Sequence, residues 1–325
     1  MTGVQTCALP ILINKYFSNL SKRNPSSLNL NDDVFFDKAQ KLVISVDAYI
    51  QGKHFLNFNQ PDLVIKKILR SSISDLICKG VYPKYYFISA SGNKKHFTKL
   101  NLSKISKSLK EEQKKYKIFL SGGDTVNSNQ LTFSVTSVGN ANSIVFRNKA
   151  KLYDDIYVTG NLGDSYIGLK ILQRKFTVSK KQSNYFINKY YKPDLQYTLI
   201  SKLNKIANTS IDISDGLFSD TEKLINNQKL SYEIEIDKIP ISKNLMDIIN
   251  SRRLKKEGLI SNGDDYQILF TAKKSKYRII QSLSKKLRIK ITKIGEITKN
   301  WKHPGIIVKK GRKIRINQKG YFHQF

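Results

Sequence analysis

Apolar residues recur at helical spacing over residues 62–78, at Leu63, Ile65, Ile68, Leu69, Ile73 and Leu76. That spacing predicts a helix with a broad buried face. Residues 97–116 predict a second, amphipathic helix, and residues 12–20 a short one with Ile13, Phe17 and Leu20 on one side. Compact apolar runs at 42–46, 85–90, 118–120 and 131–138 predict strands, and the polar, proline-containing stretch 23–31 a loop. The run at 118–120 leads into Ser121-Gly122-Gly123-Asp124, which reads as a turn.

Near residues 149–155 the pattern restarts. A strand at 155–159 and the turn Gly160-Asn161-Leu162-Gly163 lead into a helix at 164–172. Helices follow at 182–191 and 195–207, separated by Pro193, then a strand at 210–213 and a helix at 217–226. A strand at 232–236, a helix at 242–249, a strand at 267–272 and a helix at 277–287 come next. The chain closes on a hairpin of 306–308 and 313–316. Helices and strands do not alternate steadily, which predicts α+β architecture rather than a doubly wound sheet. The restart divides the chain into an N-terminal domain at 12–150 and a C-terminal domain at 151–325. The length of 325 residues allows each its own core. Residues 1–11 (MTGVQTCALPI) lack continuity with the rest of the chain. They read as a non-native, adapter-derived segment, with the native start lost.

Composition removes several function classes. With 40% hydrophobic and 10% aromatic residues, disorder is not expected. No apolar run reaches membrane-spanning length, and no secretory signal pattern occurs. Two cysteines, Cys7 and Cys78, cannot build a disulfide framework or a cysteine zinc site. A cytoplasmic setting is expected. The formal charge of +32 invites a nucleic-acid reading, concentrated at residues 309–315 (KKGRKIR). Lysine pairs are instead spread along the whole chain. They predict a solvated basic surface that draws in anions, with no specific nucleic acid bound.

Acids are scarce, 25 against 57 basic residues, yet they recur where apolar strands end. They stand in Asn31-Asp32-Asp33, Ser45-Val46-Asp47, Ser74-Asp75, Gly122-Gly123-Asp124-Thr125, Asp212-Ile213-Ser214-Asp215-Gly216 and Asn262-Gly263-Asp264-Asp265-Tyr266. A carboxylate beside a buried strand is costly unless it is paired or holds a cation. Oxygen ligands suit magnesium, and the glycines let backbone N–H groups approach phosphate. Any one segment alone is an ordinary turn or helix cap. Their ordered co-occurrence points to a magnesium–phosphate site. There is no P-loop, no dinucleotide fingerprint, no nucleophile elbow, and no pair of histidines at metal spacing.

The ordered set resembles the thiamine-monophosphate kinase family, within the superfamily that includes aminoimidazole ribonucleotide synthetase. Beside the acidic segments, ISVDAYIQGKHF at 44–55, YVTGNLGDSYIGL at 157–169, IDISDGLFSD at 211–220, NGDDYQILF at 262–270 and KGYFHQF at 319–325 carry the resemblance. It implies an N-terminal α/β domain with a mixed sheet, a C-terminal α+β domain, and a homodimer paired through the N-terminal domains. It implies Asp33, Ser45, Val46, Asp47, Asp75, Asp124 and Asp212 as magnesium ligands, Val46 through its carbonyl, with Asp215 near a further ion. Gly123, Asp124, Arg147 and Ser214 are implied nucleotide contacts, and His54, Asp264 and Tyr321 substrate contacts. Asp47, Asp124 and Arg147 carry the implied catalysis. The implied reaction is direct in-line transfer of the ATP γ-phosphoryl group to thiamine monophosphate, without a phosphoenzyme. Another ATP-dependent enzyme of the superfamily, acting on a different anion, is the alternative. Asn31, Val46, Asn262, Asp264 and Gln267 depart from the family pattern, and Asp264 is one methylene shorter than the usual Glu.

Overall fold

Pro61 opens the long helix that the periodicity predicts. Its fixed φ suits the first turn, where the missing N–H is no loss. Helix α2, Pro61–Cys78, buries 14 of its 18 residues, more than one amphipathic stripe accounts for. It must therefore be covered on several sides. The computed structural model describes residues 8–299, 305–316 and 320–321, with side chains from residue 15 onward. Cys7, His303, His323 and most of the 319–325 motif lie outside the described residues.

Helix α1, Ala8–Ser21, begins inside the segment set aside at 1–11. Before α2 come strands β1, Phe35–Asp37, and β2, Leu42–Ile50; after it come β3, Pro83–Gly92, helix α3, Lys99–Tyr116, β4, Phe119–Asn127, and β5, Thr132–Asn140. The second half holds β6, Asp155–Thr159, α4, Asp164–Leu172, α5, Lys180–Tyr191, α6, Ile200–Ile206, and β7, Thr209–Asp212. It continues with α7, Leu217–Leu224, β8, Ser231–Glu235, α8, Lys243–Arg252, α9, Lys256–Ile260, and β9, Ile268–Ala272. Helix α10, Tyr277–Leu287, β10, Ile291–Thr298, β11, Ile306–Lys309, and β12, Arg312–Ile314, complete it.

Among the described residues the strands form two sheets. The first, ordered β1-β2-β5-β3-β4, is mixed, because β3 and β4 run parallel while the other neighbours are antiparallel. The second, ordered β12-β11-β8-β10-β6-β9-β7, is antiparallel except where β11 meets β8. This is the expected α+β architecture with mixed sheets.

The fold differs from the sequence expectations in several places. The Gly122-Gly123-Asp124 segment is not a turn but the middle of β4, whose residues are all exposed. A register shift opposite Tyr86 and Ile88 crowds the backbones. A Cβ on Gly123 would sit 1.8 Å from the Ile88 carbonyl oxygen, so glycine answers to a close approach here. Strand β10, central in the second sheet, was not expected. Its buried Ile291, Ile294 and Ile297 stand three apart, because a bulge near Gly295 breaks the two-residue period. The short β1 and α9 were not expected either.

The largest apolar cluster ignores the division at residue 150. It joins Tyr49, Phe55, Ile65, Ile68, Leu69 and Ile73 to Tyr157, Leu203, Phe270 and Ile291. Helix α2 packs on β2 and β5 and also meets α5, α6 and β7, which covers its several faces.

One charge pair is buried beside this shared core. The Arg70 guanidinium grips Glu112 of α3 through Nε (2.8 Å) and Nη2 (2.9 Å), and Nη1 donates to the Pro193 carbonyl at 3.1 Å. Thr98 caps α3 by accepting from the Asn101 N–H. No helix among the described residues is long and apolar enough to cross a membrane. Replacing Arg70→Met strands the Glu112 charge, and should cost about 3–5 kcal/mol in urea unfolding. The Arg70→Met/Glu112→Leu double variant should recover most of it. Equal losses in the single and double variants would show that packing, not charge, dominates.

Candidate active site

Lys67, Ser71, Asp75 and, just past the helix end, Lys79 fall four residues apart, with Ser74 three after Ser71, so they lie along one side of α2. All of them find partners or face a cleft. Lys67 Nζ lies 2.6 Å from Asp264 Oδ1. Ser74 Oγ donates to Asp212 Oδ2 at 2.7 Å, and Asp75 accepts from the Ser45 hydroxyl. Lys79 Nζ donates to the Ser210 carbonyl at 2.9 Å and pairs with Asp32 and Asp33, each at 2.7 Å. Ser210 in turn donates to the Cys78 carbonyl. One polar stripe thus ties the first half of the chain to β7 and the loop behind it.

Two loops of the second half meet this stripe as a zipped pair. The Tyr266 N–H donates to the Ile213 carbonyl (2.8 Å), the Ile213 N–H to Gln267 (2.9 Å), and the Asp264 N–H to Ser214 (2.9 Å). A Cβ on Gly263 would sit 1.7 Å from the Ser214 oxygen, which is why glycine stands there. Asp220 receives the N–H groups of Asp215 (2.9 Å) and Gly216 (3.0 Å), shaping the turn before α7. Asp265 accepts from the Gly163 N–H at 2.8 Å, which seats the start of α4 against the same loop. The Tyr321 N–H donates to the Asp215 carbonyl at 2.8 Å and brings the terminal aromatic alongside.

The cleft so formed has a volume of about 590 Å³. Of the sequence-predicted residues, Asp47, His54, Asp75, Asp212, Ser214, Asp215, Asp264 and Tyr321 line it. His54 Nδ1 accepts from the Ile50 N–H at 2.9 Å, which fixes the ring. Ser45 stands behind Asp75. Asp33 and Arg147 lie beside the cleft, joined at 3.2 Å, while Arg147 Nε and Nη2 donate to the Lys223 carbonyl. Lys223 pairs with Asp215 and, at 2.8 Å, with Asp220. Val46 is 65% exposed on the opposite face of β2. Gly123 and Asp124 are not brought to the cleft; they lie on the exposed edge strand.

The carboxylates divide by counter-charge. Burial works to raise the Asp33 carboxyl, but Lys79 and Arg147 outweigh it and hold it at about 2. Asp47 has no such partner. Burial, with the charge of Asp33 nearby, pushes it up to about 6. Burial and Asp33 likewise raise Asp212 to about 8, and burial with Asp47 and Asp212 lifts Asp75 well above the usual carboxylate range. Asp47, Asp75 and Asp212 therefore form a group of acids short of positive charge. Among the described residues no three His, Cys, Asp or Glu side chains are gathered tightly enough to hold a metal alone. Magnesium does not need such a cage, since it keeps waters and takes phosphate oxygens with one or two carboxylates. The oxygen-only donor set fits it.

Sequence reasoning missed Lys67, Tyr49, Tyr266, the α4 residues Tyr166 and Lys170, and Gln173 just past the end of α4, all at or below the cleft. For Lys67 a signal existed. Polar residues at 67, 71, 74 and 75 recur with helical period on a helix otherwise too apolar to have a solvent face. The basic stretch at 309–315 forms an ordinary hairpin, with Lys309 paired to Glu257 at 2.9 Å.

Comparison with known proteins agrees with this architecture. Residues 31–141 match the AIR synthase related protein N-terminal domain, and residues 154–308 the corresponding C-terminal domain. A thiamine-monophosphate kinase of Buchnera aphidicola subsp. Schizaphis graminum (strain Sg) is 36% identical over 320 residues, covering 96% of this chain and 97% of that one. The solved structure of AaThiL complexed with AMPPCP and TMP superposes with a TM-score of 0.82 at 25% identity, covering 99% of each chain. The thiamine monophosphate kinase of Aquifex aeolicus gives 0.78 at 26% identity, covering 96% of this chain and 99% of that one. The chain belongs to the AIR synthase related proteins and, within them, to the thiamine-monophosphate kinase family.

Proposed function

We propose that this chain transfers the γ-phosphoryl group of ATP to thiamine monophosphate, giving thiamine diphosphate and ADP, with magnesium required. The observation that carries the reading is the group Asp47, Asp75 and Asp212. These acids, Asp212 buried and Asp47 and Asp75 half-buried, are short of counter-charge and face a cleft walled by Tyr49, Tyr166, Tyr266 and Tyr321, in a chain of this family. A kinase of phosphorylated acceptors has to hold two polyanions together, and such a wall of acids suits it only with cations present. Asp47, Asp75, Asp212 and Asp215 would hold magnesium, which when bound neutralises and aligns the phosphates.

The remaining roles belong to the chain itself. An acceptor phosphate oxygen is already anionic, so no general base is needed. It bonds to the γ-phosphorus as the bond to the β,γ-bridging oxygen breaks, and ADP leaves with that electron pair. Arg147, held by Asp33, stands beside the cleft as a source of positive charge. The zipped loops present the Ser214 and Gly263 backbone, and the tyrosines with His54 and Asp264 receive the heteroaromatic rings of the acceptor. A cytoplasmic location belongs to the same reading, because the reaction consumes ATP.

The proposal includes a homodimer, and it gives Asp124 its place. Strand β4 is hydrogen-bonded to β3 on one side and open on the other. It exposes Phe119, Leu120 and Val126 beside Tyr85, Phe87 and Val46 of the same sheet. An open apolar edge is a template for a second chain. Asp47 lies opposite Val135, Val135 opposite Ile88, and Ser89 opposite Asp124. Three strand spacings, roughly 14 Å, therefore separate Asp124 from Asp47 within one chain. Asp124 and Gly123 would then serve the cleft of the partner copy.

Two measurements test this reading. Incubated with ATP, magnesium and thiamine monophosphate, the parent should form thiamine diphosphate, and Asp75→Asn or Asp212→Asn should cut kcat by at least about 100-fold. In the same variants the thermal stabilisation by magnesium with a non-hydrolysable ATP analogue should vanish. For the parent that stabilisation is about 2.7 kcal/mol at a hundredfold excess over Kd. A parent that binds nucleotide yet makes no thiamine diphosphate would overturn the acceptor. For the dimer, Asp47→Ala and Asp124→Ala chains, each inactive alone, should recover up to about a quarter of parental activity when co-assembled. Mixed dimers that stay inactive would place Asp124 in the cleft of its own chain.

A further inference from the structure

Lysine is seldom fully buried without a dedicated partner. Lys67 is 1% exposed, in the middle of a helix packed between the two halves. Its ammonium lies 2.6 Å from Asp264 Oδ1, its one ion-pair partner among the described residues. It also sits 3.9 Å from the centre of the Tyr190 ring and 5.9 Å from that of Tyr266. Burial lowers its affinity for a proton, and the Asp264 charge works against that loss.

Asp264 is unusual in its own right. Its φ is +68°, a left-handed conformation rare for residues with a side chain, and Tyr266 two residues on has φ +50°. The loop is held there by the bonds to Ser214 and Ile213. On the side chain, the Tyr266 hydroxyl donates to the same Oδ1 at 3.1 Å that Lys67 pairs with. No hydrogen bond or ion pair among the described residues engages Oδ2, and the residue lines the cleft. One carboxylate oxygen is thus fixed from below and the other left for a ligand.

We propose that Lys67 is a positioning residue for the phosphate acceptor: it pins Asp264 so that Oδ2 is presented as a fixed acceptor to an N–H donor on the heteroaromatic part of the substrate. This rests on the reading of Asp264 as part of the acceptor site. The short Asp side chain makes the support necessary, since a carboxylate with less reach must be aimed by its surroundings. The geometry selects acceptors bearing an N–H donor and disfavours those with only acceptor atoms at that place.

The test compares Lys67→Met, Asp264→Asn and the double variant, with KM for thiamine monophosphate and for ATP, kcat, and thermal unfolding for each. Lys67→Met should raise the acceptor KM about tenfold or more while KM for ATP stays within about twofold and kcat at saturation changes far less. The double variant should be no worse than Asp264→Asn alone, because the two side chains act as one unit. An unchanged acceptor KM in Lys67→Met would overturn the proposal. So would equal rises in both KM values with a fall in kcat, which mark a merely structural strut. If Lys67→Met does not fold, the neutral double variant decides: an acceptor KM equal to that of Asp264→Asn supports the proposal, and a further rise overturns it. An acceptor KM unmoved by Asp264→Asn would unseat Asp264 itself, and the inference about Lys67 with it, while leaving the phosphoryl-transfer reading to the assay of product.

Discussion

A helix buried on nearly every side cannot leave a polar group to water, and α2 carries a full stripe of them. Lys67, Ser74 and Lys79 find Asp264, Asp212 and the Ser210 carbonyl in the other half of the chain, while Asp75 accepts from Ser45 and Lys79 also pairs with Asp32 and Asp33 within the first half. The cost of leaving such groups unpaired exceeds the gain from most single packing contacts. The relative placement of the two sheets therefore follows from the pairing of this stripe. The cleft is the place where the stripe runs past its partners and the acids outnumber the cations.

That imbalance separates two kinds of acid in one site. Asp32 and Asp33 are matched by Lys79 and Arg147 within the first half, and these two cations in turn donate to the Ser210 and Lys223 carbonyls of the second. Asp47, Asp75 and Asp212 are matched by hydroxyl groups of Tyr49, Ser45 and Ser74, which orient a carboxylate without neutralising it. A fold that withdraws the second kind partly or wholly from water gives up stability to keep a wall of negative charge beside an open cleft. Such an arrangement is retained where a cation and a polyanion arrive together, the condition that phosphoryl transfer between phosphates imposes.

Most of this was legible in the sequence because apolar periodicity survives wherever an element has one buried face. The limits of α4, the hairpin near the end of the chain and the long helix could be read to within a few residues. Strand β10 could not, because its bulge moves the isoleucines from a two-residue to a three-residue spacing. The segment at Gly122 looked like a turn because paired glycines usually make one; here they let two parallel backbones approach. Among the site residues, acids in short motifs stood out against a basic chain. Lys67 showed only indirectly, through polar positions 67, 71, 74 and 75 that recur with helical period on an otherwise apolar helix, a pattern that names no partner. Its role is visible only once Asp264, 197 positions away in the chain, is seen beside it.

The core that runs across the division at residue 150 has a consequence for motion. Tyr49, Phe55 and Ile73 share one apolar cluster with Tyr157, Phe270 and Ile291, so the two halves cannot swing apart as rigid bodies without wetting that surface. Any opening or closing around ligands is then confined to parts outside the cluster. The cleft then has fixed walls: the shared core sets the distance between its acidic and aromatic sides when the chain folds, not when a ligand binds.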